Sequence, residues 1–273
     1  MPYRRGRAFL DALSALDPMP SGVEVRAGRS GGVRSLLIVP EGAGDAPRMV
    51  WLHGGAFCFG SPKAYSTFVA HLAKAVGVSI LAPAYRLAPE HPYPAAFDDS
   101  LAAYAAVAAE FGPPILGGDS AGGGLTLSAA IRLCDEGRPM PRGLLLMSPW
   151  VDLTGSGGSM RSNAGRDALL RAETLPGLVR AYAGGLDPRD PLLSPLGADL
   201  AGLPATLIQC GEDELFLSEG VDLAKRLEDA GGDTKLQVFD GMWHDFQLHA
   251  GMLDESARAV GQMAAWAKPL LDE

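Results

Sequence analysis

Short apolar runs punctuate this chain, and from residue 48 onward they alternate with longer stretches of helical period. The runs read "VEVRA", "VRSLLIVP", "RMVWLH", "VSILAPAY", "PILGG", "GLLLMSP", "ATLIQC" and "KLQVF". Between and after the later ones come "KAYSTFVAHLAKAVG", "PAAFDDSLAAYAAVAAEFG", "AGGGLTLSAAIRLCDEG", "FLSEGVDLAKRLEDAGG" and "DESARAVGQMAAWAKPLL". Several helical stretches close on glycine, a common helix stop. The later strands are continuously apolar, as strands covered on both faces must be. This alternation predicts a mostly parallel central sheet of about eight strands with helices on both faces. The first two runs have no helix between them and are expected to form an antiparallel hairpin at one edge. Two regions break the rhythm, the stretch before Ser21 and the Gly-, Pro- and Arg-rich stretch from Thr154 to Leu203. The second holds a helical pattern around Glu173 to Tyr182. An insertion at the C-terminal ends of parallel strands often covers a site. The chain, residues 1–273, is therefore expected to be one α/β domain with small cap elements from 1–20 and 155–200.

Composition narrows the partners. Hydrophobic residues make up 47% of the chain and charged residues 20%, with a formal net charge of −9. Arg4, Arg5 and Arg7 are too few to form a basic patch, so nucleic acid is not an expected partner. The N-terminal "MPYRRGRAFLDALSALDPMP" lacks the long apolar stretch of a signal peptide, and no run is long enough to span a bilayer. Three cysteines, Cys58, Cys134 and Cys210, have no metal-ligand spacing and read as reduced thiols, which points to a cytoplasmic protein. No base adjoins Cys58 in sequence, so a reactive thiol is not expected there.

The strongest chemical signal is "ILGGDSAGGGLTLSAAI". An apolar strand ends in Gly118-Asp119-Ser120-Ala121-Gly122 and a helix starts at once. This is G-x-S-x-G in the strand–turn–helix setting of a nucleophile elbow, which would put the Ser120 hydroxyl at the apex of a sharp turn. The bland alternative is a glycine-rich helix start merely capped by Ser120. A serine hydroxyl needs an adjoining base to act as a nucleophile. Of five histidines, His244 comes after the strand "KLQVF" through "DGMWHDF", at the end of the sheet where parallel strands assemble sites. His53 belongs to another motif, His71 to a helical pattern, and His91 to a proline-rich loop. His249 falls on the helix side of the last strand. An acid is then needed to orient the imidazole. The loop after "ATLIQC" reads Gly211-Glu212-Asp213-Glu214, and Asp152, after "GLLLMSPW", competes with it.

The stretch "VWLHGGAFCFGS", residues 50–61, breaks a buried strand with a histidine and two glycines and then turns apolar again. Bare glycine backbone lets another group approach the main-chain amides. A tetrahedral oxyanion in acyl transfer needs fixed N–H donors of this kind. Gly54, Gly55 and the first helix amide, at Ala121, are the candidates. Trp51, Phe57 and Phe59 would wall a dry pocket, with Phe57 and Phe59 facing the substrate.

Taken together, "HGGAFCFGS", "YRLAPEHPYPAAFDD", "GGDSAGGGL", "PATLIQCGEDELFLSEGVDLAKRL" and "HDF" resemble the bacterial hormone-sensitive-lipase-like esterases of the α/β-hydrolase fold. The likeness covers nearly the whole chain from Val50. It implies a serine carboxylesterase that hydrolyses short-chain acyl esters through an acyl-enzyme, with neither metal nor cofactor. The resemblance also fixes the acid more closely, because counting back from the helix "SEGVDLAKRL" puts Glu214 in the family's acid position. Asp213 is the second choice. The implied site is Ser120, Glu214 and His244, with oxyanion donors drawn from Gly54, Gly55, Ala56 and Ala121. The expected partner is a small-molecule ester; a homodimer is compatible with the fold. Two rivals are a lactone hydrolase and a non-catalytic small-molecule receptor on the same fold, although a receptor would be expected to lose Ser120 or His244. The family likeness turns "YRLAPEHPYPAAFDD" into a conformational element, with Arg86 and Glu90 expected as a structural ion pair. The family's HGG motif arrives early here, so the N-terminal cap is expected to be short.

Overall fold

The computed structural model describes Tyr3, residues 5–8 and residues 17–272. The rest of the expected N-terminal cap, at 1, 2, 4 and 9–16, lies outside the described residues. Eight strands form one sheet in the order β1-β2-β4-β3-β5-β6-β7-β8. They are β1 (Val23–Ser30), β2 (Val33–Pro40), β3 (Pro47–Leu52), β4 (Ser79–Pro83), β5 (Ile115–Asp119), β6 (Leu144–Met147), β7 (Thr206–Gly211) and β8 (Thr234–Phe239). The first two form the expected edge hairpin, and β2 also runs antiparallel to β4. All remaining pairings are parallel.

The helices fall on both faces. They are α1 (Ser66–Val76), α2 (Ala95–Phe111), α3 (Ala121–Asp135), α4 (Leu175–Ala183), α5 (Leu217–Asp229) and α6 (Asp254–Asp272), with a single helical turn at Ser159–Ser162. Successive strand residues face opposite ways, so β3 sends Met49 and Trp51 to one layer and Val50 and Leu52 to the other. The first layer packs on α1 and α6 through Phe68, Leu72, Val260 and Met263. The second packs on α2, α3 and α5 through Tyr104, Leu125 and Leu223. The central strands are buried on both faces, which is why their sequences do not alternate. At the edge, β8 is only partly covered, and Val238 is exposed.

The proline-rich stretch pairs differently from expectation. Arg86 bonds Asp99 in the first turns of α2, at 2.8 Å, whereas Glu90 receives Arg7 from the N-terminal segment, also at 2.8 Å. Arg7 further donates to the carbonyls of Cys58 and Ala88. The expected Arg86–Glu90 pair is thus replaced by two longer-range clamps, one stapling the loop to a helix and one stapling the chain's start to it.

Behind the sheet ends, Glu219 in the first turn of α5 is buried, and one of its oxygens accepts the amides of Val151 and Asp152 at 2.7 and 2.8 Å. Those amides have no strand partner, and the carboxylate satisfies both. Glu219→Ala should therefore orphan two buried donors and cost about 2–4 kcal/mol of unfolding free energy. Urea unfolding of the variant checks this; a midpoint equal to that of the parent protein would show that water replaces the carboxylate.

Candidate active site

Ser120 directly follows β5 with φ 50° and ψ −120° and is the residue before the first turn of α3. A side chain in this backbone region is strained, and neighbours must hold it there. The Ser120 amide donates to the Met147 carbonyl at 2.9 Å, and its carbonyl accepts the Trp150 amide at 2.9 Å. Gly122 then passes so close to β3 that a Cβ would collide with the Leu52 carbonyl. The glycine is thus required by a close approach, as the motif suggested.

The turn after β3 is wound the opposite way from a normal helix. Gly55, Ala56 and Phe57 have φ of 110°, 52° and 60°. Amides of Cys58 and Phe59 both donate to the Gly55 carbonyl. His53 braces the turn from inside, stacked on Tyr85 with ring centroids 4.2 Å apart. The Gly54 amide lies against the buried Asp119 carboxylate, which Trp51 also holds through its indole N–H at 3.0 Å. By contrast, the amides of Gly55, Ala56 and Ala121 take no partner among the described residues. Gly55 and Ala56 line the same cavity as Ser120.

That cavity, about 540 Å³, is mostly apolar. Trp150, Phe216, Leu175, Leu178, Phe59, Tyr65 and Phe68 line it together with Ser120 and His244. Phe57 does not line it. Its left-handed backbone turns the ring inward onto Tyr182, stacked at 3.7 Å, where it is part of the core. Of the two phenylalanines expected at the pocket, only Phe59 is there.

His244 is almost wholly buried between two carboxylates. Its Nδ1 lies 3.9 Å from Glu214 Oε2, and its Nε2 lies 3.1 Å from Asp245 Oδ2. Burial opposes the charged imidazole, but Asp245, then Glu214 and Asp167, outweigh it and raise the His244 pKa to about 9. The Glu214 carboxyl is pushed above its ordinary range by burial, with His244, the Ser148 hydroxyl and the Gly211 amide pulling it back. Ser148 donates to Glu214 at 2.6 Å and Gly211 at 3.1 Å. Asp213, next door, turns away to an ion pair with Arg166. Asp152 is occupied by the amides and hydroxyls of Thr154 and Ser156. Of the three acids weighed from the sequence, Glu214 alone faces the imidazole.

A serine on a strained elbow after β5, an acid after β7 and a buried histidine after β8 form the layout of one known architecture. Residues 49–248 match the family model described as the alpha/beta hydrolase fold. An esterase of Acinetobacter venetianus is 36% identical over 269 residues, covering 97% of this chain and 88% of that protein. An acetyl-hydrolase of Streptomyces hygroscopicus is 35% identical over 232 residues, covering 84% and 78%. The crystal structure of an esterase from the bacterial hormone-sensitive lipase family superposes with a TM-score of 0.95 at 34% identity, covering 98% of this chain and 92% of that one. This chain belongs to that esterase family.

In this esterase, three residues that brace the site, Ser148, Asn163 and Asp167, escaped the sequence. Ser148, at the end of β6, sits at φ 44° and links Glu214 to the Asp245 amide, which it accepts at 3.2 Å. Its only sequence trace is its place after an apolar strand. Asn163 bonds the carbonyls of Glu212 and Glu214, and Asp167 accepts the Leu215 amide, so the 155–200 segment braces the acid loop. Asp245 stands directly after His244, and that adjacency was visible. Among the described residues no helix is long and apolar enough to cross a membrane. Ser148→Ala should remove the bridge between acid and histidine segments and lower kcat/KM for a short ester on the order of tenfold, with the fold kept. Steady-state kinetics beside circular dichroism measure it; unchanged kinetics would show that the Gly211 amide alone orients Glu214.

Proposed function

We propose that this esterase cleaves short-chain carboxylic esters through a covalent intermediate on Ser120. The observation that carries the reading is the strained Ser120 apex sharing a mostly apolar cavity with His244, while amides of Gly55, Ala56 and Ala121 stand unpaired among the described residues. In this reading Ser120 Oγ attacks the ester carbonyl and gives its proton to His244. The oxyanion rests against the free amides of the Gly55–Ala56 turn and the Ala121 amide, where the α3 dipole favours negative charge. His244 then protonates the departing alkoxide, which leaves as the alcohol. Water repeats the cycle on the acyl-serine and releases the carboxylic acid. Glu214 holds the imidazole and stabilises its charged form. Gly54, whose amide lies against the Asp119 carboxylate, acts in this scheme on the shape of the turn.

The short-chain preference rests on the cavity's walls. Trp150 and Phe216, stacked with centroids 5.2 Å apart, both line it. The acetyl-hydrolase relative supports the same substrate class. We read residues 155–200 as the cap of a single domain, since Leu169, Leu170, Leu175 and Leu178 come from it to the cavity wall. All three cysteines are free, which supports a cytoplasmic location.

Turnover of p-nitrophenyl esters of graded acyl length tests the reading. Rates should peak at short chains, and Ser120→Ala should lose on the order of 10⁶ in kcat with its circular dichroism unchanged. A maximum at long-chain emulsified esters, or a Ser120→Ala variant within about tenfold of the parent, would sink it.

The acid is tested separately. Glu214→Gln keeps the shape but leaves the imidazole in the wrong tautomer, with an expected loss of roughly 10³–10⁴ in kcat. Asp213→Asn should cost far less, because it removes only the pair with Arg166. The reverse ranking at saturating ester would move the role to Asp213.

A further inference from the structure

Asp245 is the carboxylate closest to the His244 ring among the described residues, and it is on the wrong nitrogen. Nε2 is the atom that must take the proton of Ser120 Oγ, yet it lies 3.1 Å from Asp245 Oδ2. Meanwhile Nδ1, 3.9 Å from Glu214, is too far for a hydrogen bond and has no partner. The ring is thus drawn off its supporting acid toward its sequence neighbour. Asp245 is itself nearly fully buried, with one carboxylate oxygen unpartnered, so water does not screen the contact. Its backbone is left-handed, φ 55° and ψ 29°, and Ser148 accepts its amide. Those two constraints aim the carboxylate back at the ring.

Resting on the serine-esterase reading above, we propose that Asp245 is a positioning residue that parks His244 away from Ser120 and keeps a proton on Nε2 in the free enzyme. Turnover then requires two events before attack. The Nε2 proton must leave, and the ring must swing from Asp245 to Ser120, which also brings Nδ1 toward Glu214. No atom is gained or lost beyond that proton, which goes to solvent. Other charged groups around the ring act on the same balance. Glu214 from the loop after β7 and Asp167 from the 155–200 segment favour the protonated ring, and burial opposes it. Asp119, at the end of β5, is driven toward its neutral form by burial and by Asp245. Tyr65, ahead of α1, stays a neutral phenol, first through burial and then through Asp119 and Asp245. Asp245 is therefore the carboxylate in closest contact with Nε2, and removing it should free the base at lower pH.

The test is the pH profile of kcat/KM for a short p-nitrophenyl ester in the parent protein, Asp245→Asn and Asp245→Gly. Asparagine and glycine both adopt this left-handed backbone readily, so the fold should survive. In each variant the acid limb should move to lower pH by about one unit or more, a gain of tenfold or more relative to the plateau on that limb. An acid limb that stays in place in both variants, or a uniform loss at every pH, overturns the proposal. Nitrogen-15 chemical shifts of His244 in the unsubstituted protein at pH 7 provide a check that needs no variant. A protonated Nε2 is expected, and a bare Nε2 overturns the assignment. Failure of the esterase reading shows elsewhere, as activity retained by Ser120→Ala, while the His244 shifts still decide the Asp245 question.

Discussion

A non-glycine residue held at a left-handed φ at the tip of β5 is the constraint around which this molecule is arranged. Ser120 cannot stay there by its own preference, so three contacts hold it: Met147 at the end of β6 accepts its amide, Trp150 just beyond donates to its carbonyl, and β3 presses against Gly122. Each of those needs a parallel neighbour in register, and the pairings of β5 with β3 and β6 provide them. The apolar core on both faces makes that register stiff, because a slipped strand would turn its buried residues outward. The local strain is therefore supported by the whole sheet rather than by the turn itself.

Burial gives the electrostatics of the site their weight. Asp119, Glu214, Glu219 and Asp245 are all nearly inaccessible, and in such surroundings a charge is felt strongly by its neighbours. Each carboxylate is assigned a different task by the donors it meets. Asp119 meets an indole N–H, Glu219 two loop amides, Glu214 a hydroxyl and an amide, and Asp245 the imidazole. Charges that look interchangeable in composition are made distinct by donor geometry.

Much of this was legible in the chain. The elbow, the glycine turn after β3 and the histidine after β8 are local patterns with local physical causes. Glu214 was preferred to Asp213 because the family resemblance, counted back from α5, puts it in the acid position, and Asp213 faces Arg166 instead. The features that stayed hidden depend on side-chain direction or distant pairing. A left-handed backbone at Phe57 reverses the ring toward Tyr182, and nothing in the sequence marks that φ. Arg86 is followed in the chain by both Glu90 and Asp99; it pairs with Asp99, while Glu90 is taken by Arg7, far away in sequence. Ser148 gives no sign of its bridging position, since a serine after a strand is commonplace.

The 155–200 segment serves two masters. Asn163 and Asp167 grip the loop that carries Glu214, and a few residues later Leu169 to Leu178 shape the cavity wall. Selectivity and proton chemistry are therefore joined on one piece of polypeptide, with the seam just after Asp167. Evolution or a protein engineer can exchange the residues on the C-terminal side of that seam and remodel the pocket without disturbing the acid. A cut made earlier carries off the braces of Glu214 together with the wall, so such a chimera would trade its substrate range against the turnover machinery itself.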